Sequence, residues 1–210
     1  RYGAEGPLLI APNGVPASQL GTPDEANALE AELRAEHRLG DSFVCLFVGT
    51  AYGPNVEAAR LVVEMADAAR ERALGVQFLV VGSVGDSLGD TPENVTVTGF
   101  VDELAPYFAA ADVGLNPIVS GSGTTIKLLD YLSNRLPVVT TPFGARGFAI
   151  EDGTHALVAP PDDFLEAITR VRADDELRRD LVTAGFDYVR DHHTWERISS
   201  DLRDRIAEFV

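Results

Sequence analysis

The sequence predicts an α/β domain, a doubly wound parallel sheet with helices on both faces. Two observations carry this. Short apolar, β-branched runs alternate with longer amphipathic stretches along most of the 210 residues, and glycine recurs just after the runs, where a strand must turn. With 45% of residues apolar and 24% charged, the chain can bury one good core, so a single globular domain is expected.

The runs predict strands at about 8–11, 43–49, 76–82, 95–98, 112–116, 137–141 and 156–159. Between the second and third, Pro54 to Ala73 places Val56, Ala59, Leu61, Val62, Val63 and Met65 at helical spacing, with Pro54 suited to a first turn. Shorter helices are expected at about 102–110, with Asp102 as N-cap, and at about 123–134, after Gly121-Ser122-Gly123. Helical stretches at about 162–172, 174–191 and 194–208 close the order, and Trp195 reads as a packing anchor for the last of them. No internal repeat or low-complexity tract interrupts it.

Charge and composition exclude several functions. The formal charge is −16, with 33 acidic residues against 17 Lys and Arg, so the far field repels nucleic acid and anionic lipid, and any bound anion must be held by local chemistry. Lys127 is the one lysine, the other cationic side chains being arginine. A GC-rich genome or a high-salt, halophilic cytoplasm explains that bias, and the acidic surface favours the second. Cys45, the single cysteine, lies inside the run Phe43 to Val48 and reads as a small buried hydrophobe. His37, His155, His192 and His193 have no partners at metal-ligand spacing and read as surface or cap residues. No run reaches the roughly 18 apolar residues of a membrane span, and no signal segment opens the chain, so a cytoplasmic protein is expected. The first residue is Arg1 and the one methionine is Met65, which predicts a fragment or a processed form with something missing upstream.

In open parallel sheets ligands sit beyond the carboxyl ends of the strands. Gly49, Gly82, Gly99, Gly121 and Gly123 all follow predicted strands and would line that rim. The segment Asn116 to Tyr131 is a strand end, a glycine loop and a helix start. Free backbone N–H groups from about Gly123 to Ile126 and the helix dipole suit a diphosphate. Gly121 and Gly123 remove side chains that would hold an anion away, and the Ser122, Thr124 and Thr125 hydroxyls add donors. Lys127 supplies a full positive charge, and Asp130, three residues on, can accept from both ribose hydroxyls. A dinucleotide fingerprint is excluded because Ile126 stands where its third glycine belongs, and a P-loop because no Gly-Lys-Ser/Thr occurs. Spacing alone leaves two readings open: a diphosphate cradle, or a Ser/Thr/Gly helix cap whose Lys127 and Asp130 are solvated.

Several ordered motifs weigh on that choice. They are Leu46-Phe47-Val48-Gly49 with Pro54-Asn55, Phe78 to Gly82, Asn94 to Val101, Ala109 to Val113 leading to Pro117, Gly121-Ser122-Gly123-Thr124 through Lys127 and Asp130, Leu136 to Thr141, and Thr194-Trp195-Glu196. In this order, over about residues 43–208, the sequence resembles the C-terminal, Rossmann-like domain of family 4 glycosyltransferases of the GT-B fold, the group 1 type. The resemblance implies that Lys127 contacts the donor pyrophosphate and Asp130 the ribose, both being assigned to the catalytic set. It places the Gly121 to Thr125 loop under the phosphates, Gly49 and Gly82 on the rim, and Gly99, Phe100 and Val101 at the base. There are departures. Many members carry a Glu-x7-Glu pair, whereas here Ser122 and Asp130 hold those positions; many place Arg and Lys after the first strand, whereas here Gly49 leads into Thr50-Ala51-Tyr52-Gly53-Pro54. Phosphate neutralisation then falls on Lys127 and the helix terminus, with Arg146, in Gly144-Ala145-Arg146-Gly147, either a further contact or an ordinary surface arginine.

The resemblance further implies a retaining transfer of a hexosyl group from a nucleoside diphosphate sugar to a glycan, lipid or polysaccharide acceptor, with no required metal. Ile10 to Val15 resembles the segment after the interdomain crossover, so residues 1–20 read as its remnant and residues 21–210 as the nucleotide-sugar-binding domain. The acceptor-binding N-terminal domain, and any membrane contact, would lie in the absent half, leaving this half inactive alone. A non-catalytic nucleotide-binding module and a nucleotide-sugar epimerase of the same fold are the rival readings.

Overall fold

A computed structural model describes residues 9–207, except for the side chains of residues 23–28. Six parallel strands form one sheet in the order β3-β2-β1-β4-β5-β6. They are β1 (Phe43–Val48), β2 (Val76–Val81), β3 (Val95–Gly99), β4 (Val113–Asn116), β5 (Val138–Thr140) and β6 (Leu157–Val158). The helices are α1 (Pro23–Glu36), α2 (Gly53–Glu71), α3 (Ala105–Ala110), α4 (Lys127–Ser133), α5 (Phe164–Ala173), α6 (Asp175–His192) and α7 (Trp195–Ala207). The α/β doubly wound fold is therefore as the alternating pattern predicts.

A strand covered on both faces needs apolar side chains at every position, and β1 is buried along nearly its whole length. Its alternate residues serve two cores. Phe43, Cys45 and Phe47 pack with α2 and α5, whereas Val44 and Leu46 pack with α3, α4 and α6. Cys45 is fully buried, as expected, and burial pushes its thiol pKa up, away from reactivity.

Three expectations are corrected, and one helix is added. Leu8 lies outside the described residues, and 9–11 form no strand; the nearest β pairing is an isolated parallel bridge between Val15 and Thr194, after Pro12 has removed a backbone donor. The helix expected from 102 begins at Ala105, and Asp102 does not cap it: Pro106 lacks the N–H that would bond to residue 102 and its ring excludes a helical carbonyl there, so it takes a first-turn position. The helix expected from 123 begins at Lys127, because Gly121 (φ 115°) and Gly123 (φ 76°) are left-handed. An unforeseen helix, α1, packs on α3 and is tied to the sheet by Arg34, whose Nη2 lies 2.9 Å from the Asp112 carboxylate; that carboxylate also accepts from Val44 N at 2.8 Å.

Two side-chain readings also change. His193 caps the end of α6 but is buried, not at the surface, and His37 and His155 are half-buried. Trp195 is 43% exposed, and Ile198 supplies the buried contact of α7 instead.

Candidate functional site

The strand order reverses between β1 and β4. From β1 the chain runs to α2 on one face, and from β4 to α4 on the other, so a crevice opens between their carboxyl ends. Along that edge the rim glycines are joined by backbone bonds. Gly49 N donates to Val81 O at 2.9 Å, Val84 N to Gly49 O at 3.2 Å, and Gly82 N to Gly99 O at 2.8 Å. Gly82 has φ 103°, and a Cβ there would lie 2.3 Å from the Gly49 carbonyl oxygen, so the approach requires glycine. Beyond Gly99 the Phe100 ring is 77% exposed, while Val101 turns into the second core.

The glycine loop crosses the mouth of the crevice. Gly121, Ser122 and Gly123 are exposed, and a Cβ at Gly121 would press on Pro54 in the first turn of α2 at 3.0 Å. Side-chain bonds hold the loop down. Thr125 donates its hydroxyl to the Gly144 carbonyl and accepts from Asn116 Nδ2 at 3.3 Å; Asn116, buried at the end of β4, also donates to Thr140 Oγ1 at 3.0 Å. Thr124 accepts from the Asn13 side-chain amide, and Ser120 donates to Glu57. Arg146 lies with its guanidinium carbon 3.5 Å from the Phe143 ring centroid and donates to Gly121 O at 3.2 Å, which places a cation against the loop. The first closed bond of the following turn runs from Leu128 N to Thr125 O at 3.1 Å, so the N–H groups of Ile126 and Lys127 come before it.

Lys127 opens α4 and reaches across the crevice. Its Nζ donates to Asn55 Oδ1 at 2.8 Å and sits 4.2 Å from the centroid of the Phe47 ring. Burial of the ammonium pushes its pKa down to about 7, against the Asp130 charge, which acts to raise it. Asp130, one turn on, is lifted by burial to about 6 in spite of Lys127. The two titrate near neutrality because both are taken from water, the circumstance in which a charged ligand supplies what solvent no longer does.

A cleft of about 1030 Å³ adjoins this arrangement without containing it. Asp130 and Asn134 of α4 form one wall, with Asp102 and Leu104, just past Val101, on another; the glycine loop, Lys127, Gly49 and Gly82 lie outside it. Asp130 thus stands between the glycine loop and the segment that carries Phe100 and Val101.

Sequence reasoning took Asn13, Phe47, Asn55 and Asn116 only as parts of longer motifs and gave none of them a role. A polar residue closing an apolar strand, as Asn116 does, is a signal that was there to read. The bond of Asn13 to a residue 111 positions away left none.

Among known proteins, the family model for "Glycosyl transferases group 1" matches residues 42–185. A phosphatidyl-myo-inositol mannosyltransferase of Mycobacterium leprae is 26% identical over 209 residues, covering 95% of this chain and 53% of its own length. Among solved structures, HepE of Anabaena in complex with UDP and glucose superposes with a TM-score of 0.73 at 13% identity, over 93% of this chain and 55% of that one. The C-terminal domain of the group 1 glycosyl transferase LpcC from Francisella tularensis superposes with a TM-score of 0.68 at 14% identity, over 87% of this chain and all of that domain. At such identities the structures speak for the fold alone, that of a GT-B C-terminal domain, and the chain spans about half the length of the full proteins it matches. With more than half of its residues inside the family model, the chain belongs to the group 1 glycosyl transferases.

Proposed function

We propose that this chain is the donor-binding half of a retaining glycosyltransferase that moves a hexosyl group from a nucleoside diphosphate sugar to a glycan, lipid or polysaccharide acceptor. The observation that carries the reading is Lys127: the one lysine of an acidic chain, desolvated over Phe47, bonded to Asn55, and following a glycine loop at the switch point of the sheet. Such a cation, with the N–H groups of Ile126 and Lys127 and the guanidinium of Arg146 nearby, suits the charge that grows on a departing diphosphate. In this reading the leaving group needs no metal ion. Asp130 receives the ribose hydroxyls, and the segment Gly99, Phe100 and Val101 lies at the base, with the exposed Phe100 ring as a stacking surface and Val101 anchoring it in the core. Gly49 and Gly82 form the rim beside the phosphates, and Gly121, Ser122, Gly123, Thr124 and Thr125 form the loop beneath them. A complete enzyme would pair residues 21–210 with an acceptor domain preceding residues 1–20, so the chain alone is expected to bind donor weakly and to transfer nothing.

Calorimetric titration of the chain with UDP, GDP and ADP in high salt tests this. One nucleotide should bind, and Lys127→Ala should weaken it by about 1–3 kcal/mol, the worth of a charge-assisted contact. Equal affinity in the variant would remove Lys127 from the site. A rival reading, a nucleotide-binding module without transfer, draws on the exposed Ser122 and on a loop after β1, Gly49 to Tyr52, that carries no charged side chain. Sugar transfer by the full-length enzyme would exclude it.

A further inference from the structure

The glycine loop is held at its edges by residues near it in the fold, but its middle is held from elsewhere. Thr124 lies between two left-handed glycines and the helix start, in a stretch with no ladder of backbone bonds to define it. On one side it abuts Gly147, where a Cβ would come within 2.3 Å of the Thr124 methyl group. On the other, its hydroxyl accepts from the side-chain amide of Asn13.

Asn13 is fixed in turn. Its carbonyl lies 2.9 Å from His193 Nδ1, and His193 Nε2 lies 2.8 Å from the hydroxyl of Tyr188, which accepts from Ala149 N at 2.9 Å. A carbonyl can only accept, so Nδ1 carries the proton; burial lowers the imidazole pKa, so the ring is neutral and Nε2 accepts from Tyr188. Two residues on from Asn13, Val15 N donates to His193 O at 2.8 Å and Trp195 N donates to Val15 O at 3.0 Å. Gly14 fits closely against the same bend, for a Cβ there would lie 2.6 Å from Ile198 and 2.9 Å from His193 O. The amide of Asn13 is therefore presented to Thr124 from a rigid clasp between two distant parts of the chain.

We propose that Asn13 is a positioning residue for the donor loop: through Thr124 its amide sets the middle of the loop, and the clasp at His193 sets Asn13. This rests on the reading of the loop as a diphosphate cradle. An anion held by oriented donors binds in proportion to how well those donors are fixed beforehand, so loss of this tether costs affinity although Asn13 touches no ligand.

The test pairs nucleotide titration with amide exchange of residues 120–126 in the 210-residue chain, using Asn13→Ala, Thr124→Val and the double variant. Each of the first two should weaken binding of the accepted nucleotide by about 3- to 10-fold, the worth of one hydrogen bond, and speed exchange in the loop. The double variant should be no worse than either single, because both remove one bond. Thr124→Val leaves the clasp untouched, so its loop exchange without nucleotide decides the matter if Asn13→Ala does not fold. Unchanged binding and exchange in the single variants, or losses that add in the double, would overturn the proposal. If the parent chain binds none of UDP, GDP or ADP, the donor reading fails, and with it the claim on affinity. Loop exchange would then decide alone whether Asn13 sets the loop.

Discussion

Lys127 and Asp130 titrate at about 7 and about 6, within the range where an enzyme works, and this gives the site a pH signature. Above about 7 the free ammonium loses its proton, and a diphosphate must recover that proton to bind, so affinity should fall by up to about tenfold per pH unit. Below about 6 the Asp130 carboxyl is protonated, so it loses its charge and turns one oxygen into a donor; it then accepts less strongly from two hydroxyls, and affinity should fall there too. Titration of UDP, GDP and ADP from pH 5 to 9 should therefore show strongest binding between the two values. Lys127→Arg, whose guanidinium stays charged, should flatten the alkaline side and leave the acid side in place. A profile in that variant identical to the parent's would show that another group sets the alkaline limb.

The placement of α4 decides where those two side chains stand, and Tyr131 fixes it. This buried ring packs edge-on to Phe108 at 5.9 Å between centroids and against Gly114, where a Cβ would lie 2.7 Å from it; its hydroxyl accepts from Val48 N at 2.9 Å, at the end of β1. Tyr131→Phe should leave that N–H without its partner, costing about 1–3 kcal/mol in denaturant unfolding, and should also loosen nucleotide binding through α4. An unchanged midpoint would mean that water replaces the hydroxyl. The strands and α2 were legible in the sequence because burial on two faces, or on one helical stripe, forces apolar residues into runs and spacings. The helix α1 was not, for Ala and Glu dominate it and Leu29 and Leu33 give only a narrow apolar stripe; its readable signal was Thr22-Pro23 followed by strong helix formers. The start of α4 was misplaced because left-handed glycines and the bonds of Thr124 and Thr125 override a cap-like sequence. That the Gly loop, Lys127 and Asp130 share one edge of the fold was legible from their spacing, while Asn55 and Phe47, which hold and desolvate the lysine, are brought to it only by the order of the strands.

At the scale of the molecule, charge dominates. The formal charge of −16 repels itself most when little salt is present, and the ion pairs among the described residues are mostly partly exposed and local, such as Arg70 with Asp67 and Arg190 with Asp187. The melting temperature should accordingly rise from low to molar salt, and scanning calorimetry in both would show it; equal values would dissociate the acidic surface from stability. No helix among the described residues is long and apolar enough to cross a membrane. The bridge between Val15 and Thr194 has a mechanical consequence. If tension were applied through residues 10 and 206, it would pass along α7 and into this one pairing before reaching any strand of the sheet. Two backbone bonds, Val15 N to His193 O and Trp195 N to Val15 O, would share the first load with the bonds of Asn13 to His193 and Thr124 and act as a fuse. Asn13 hangs from the same link, so a pull that opened it would slacken the glycine loop while all six strands remained paired.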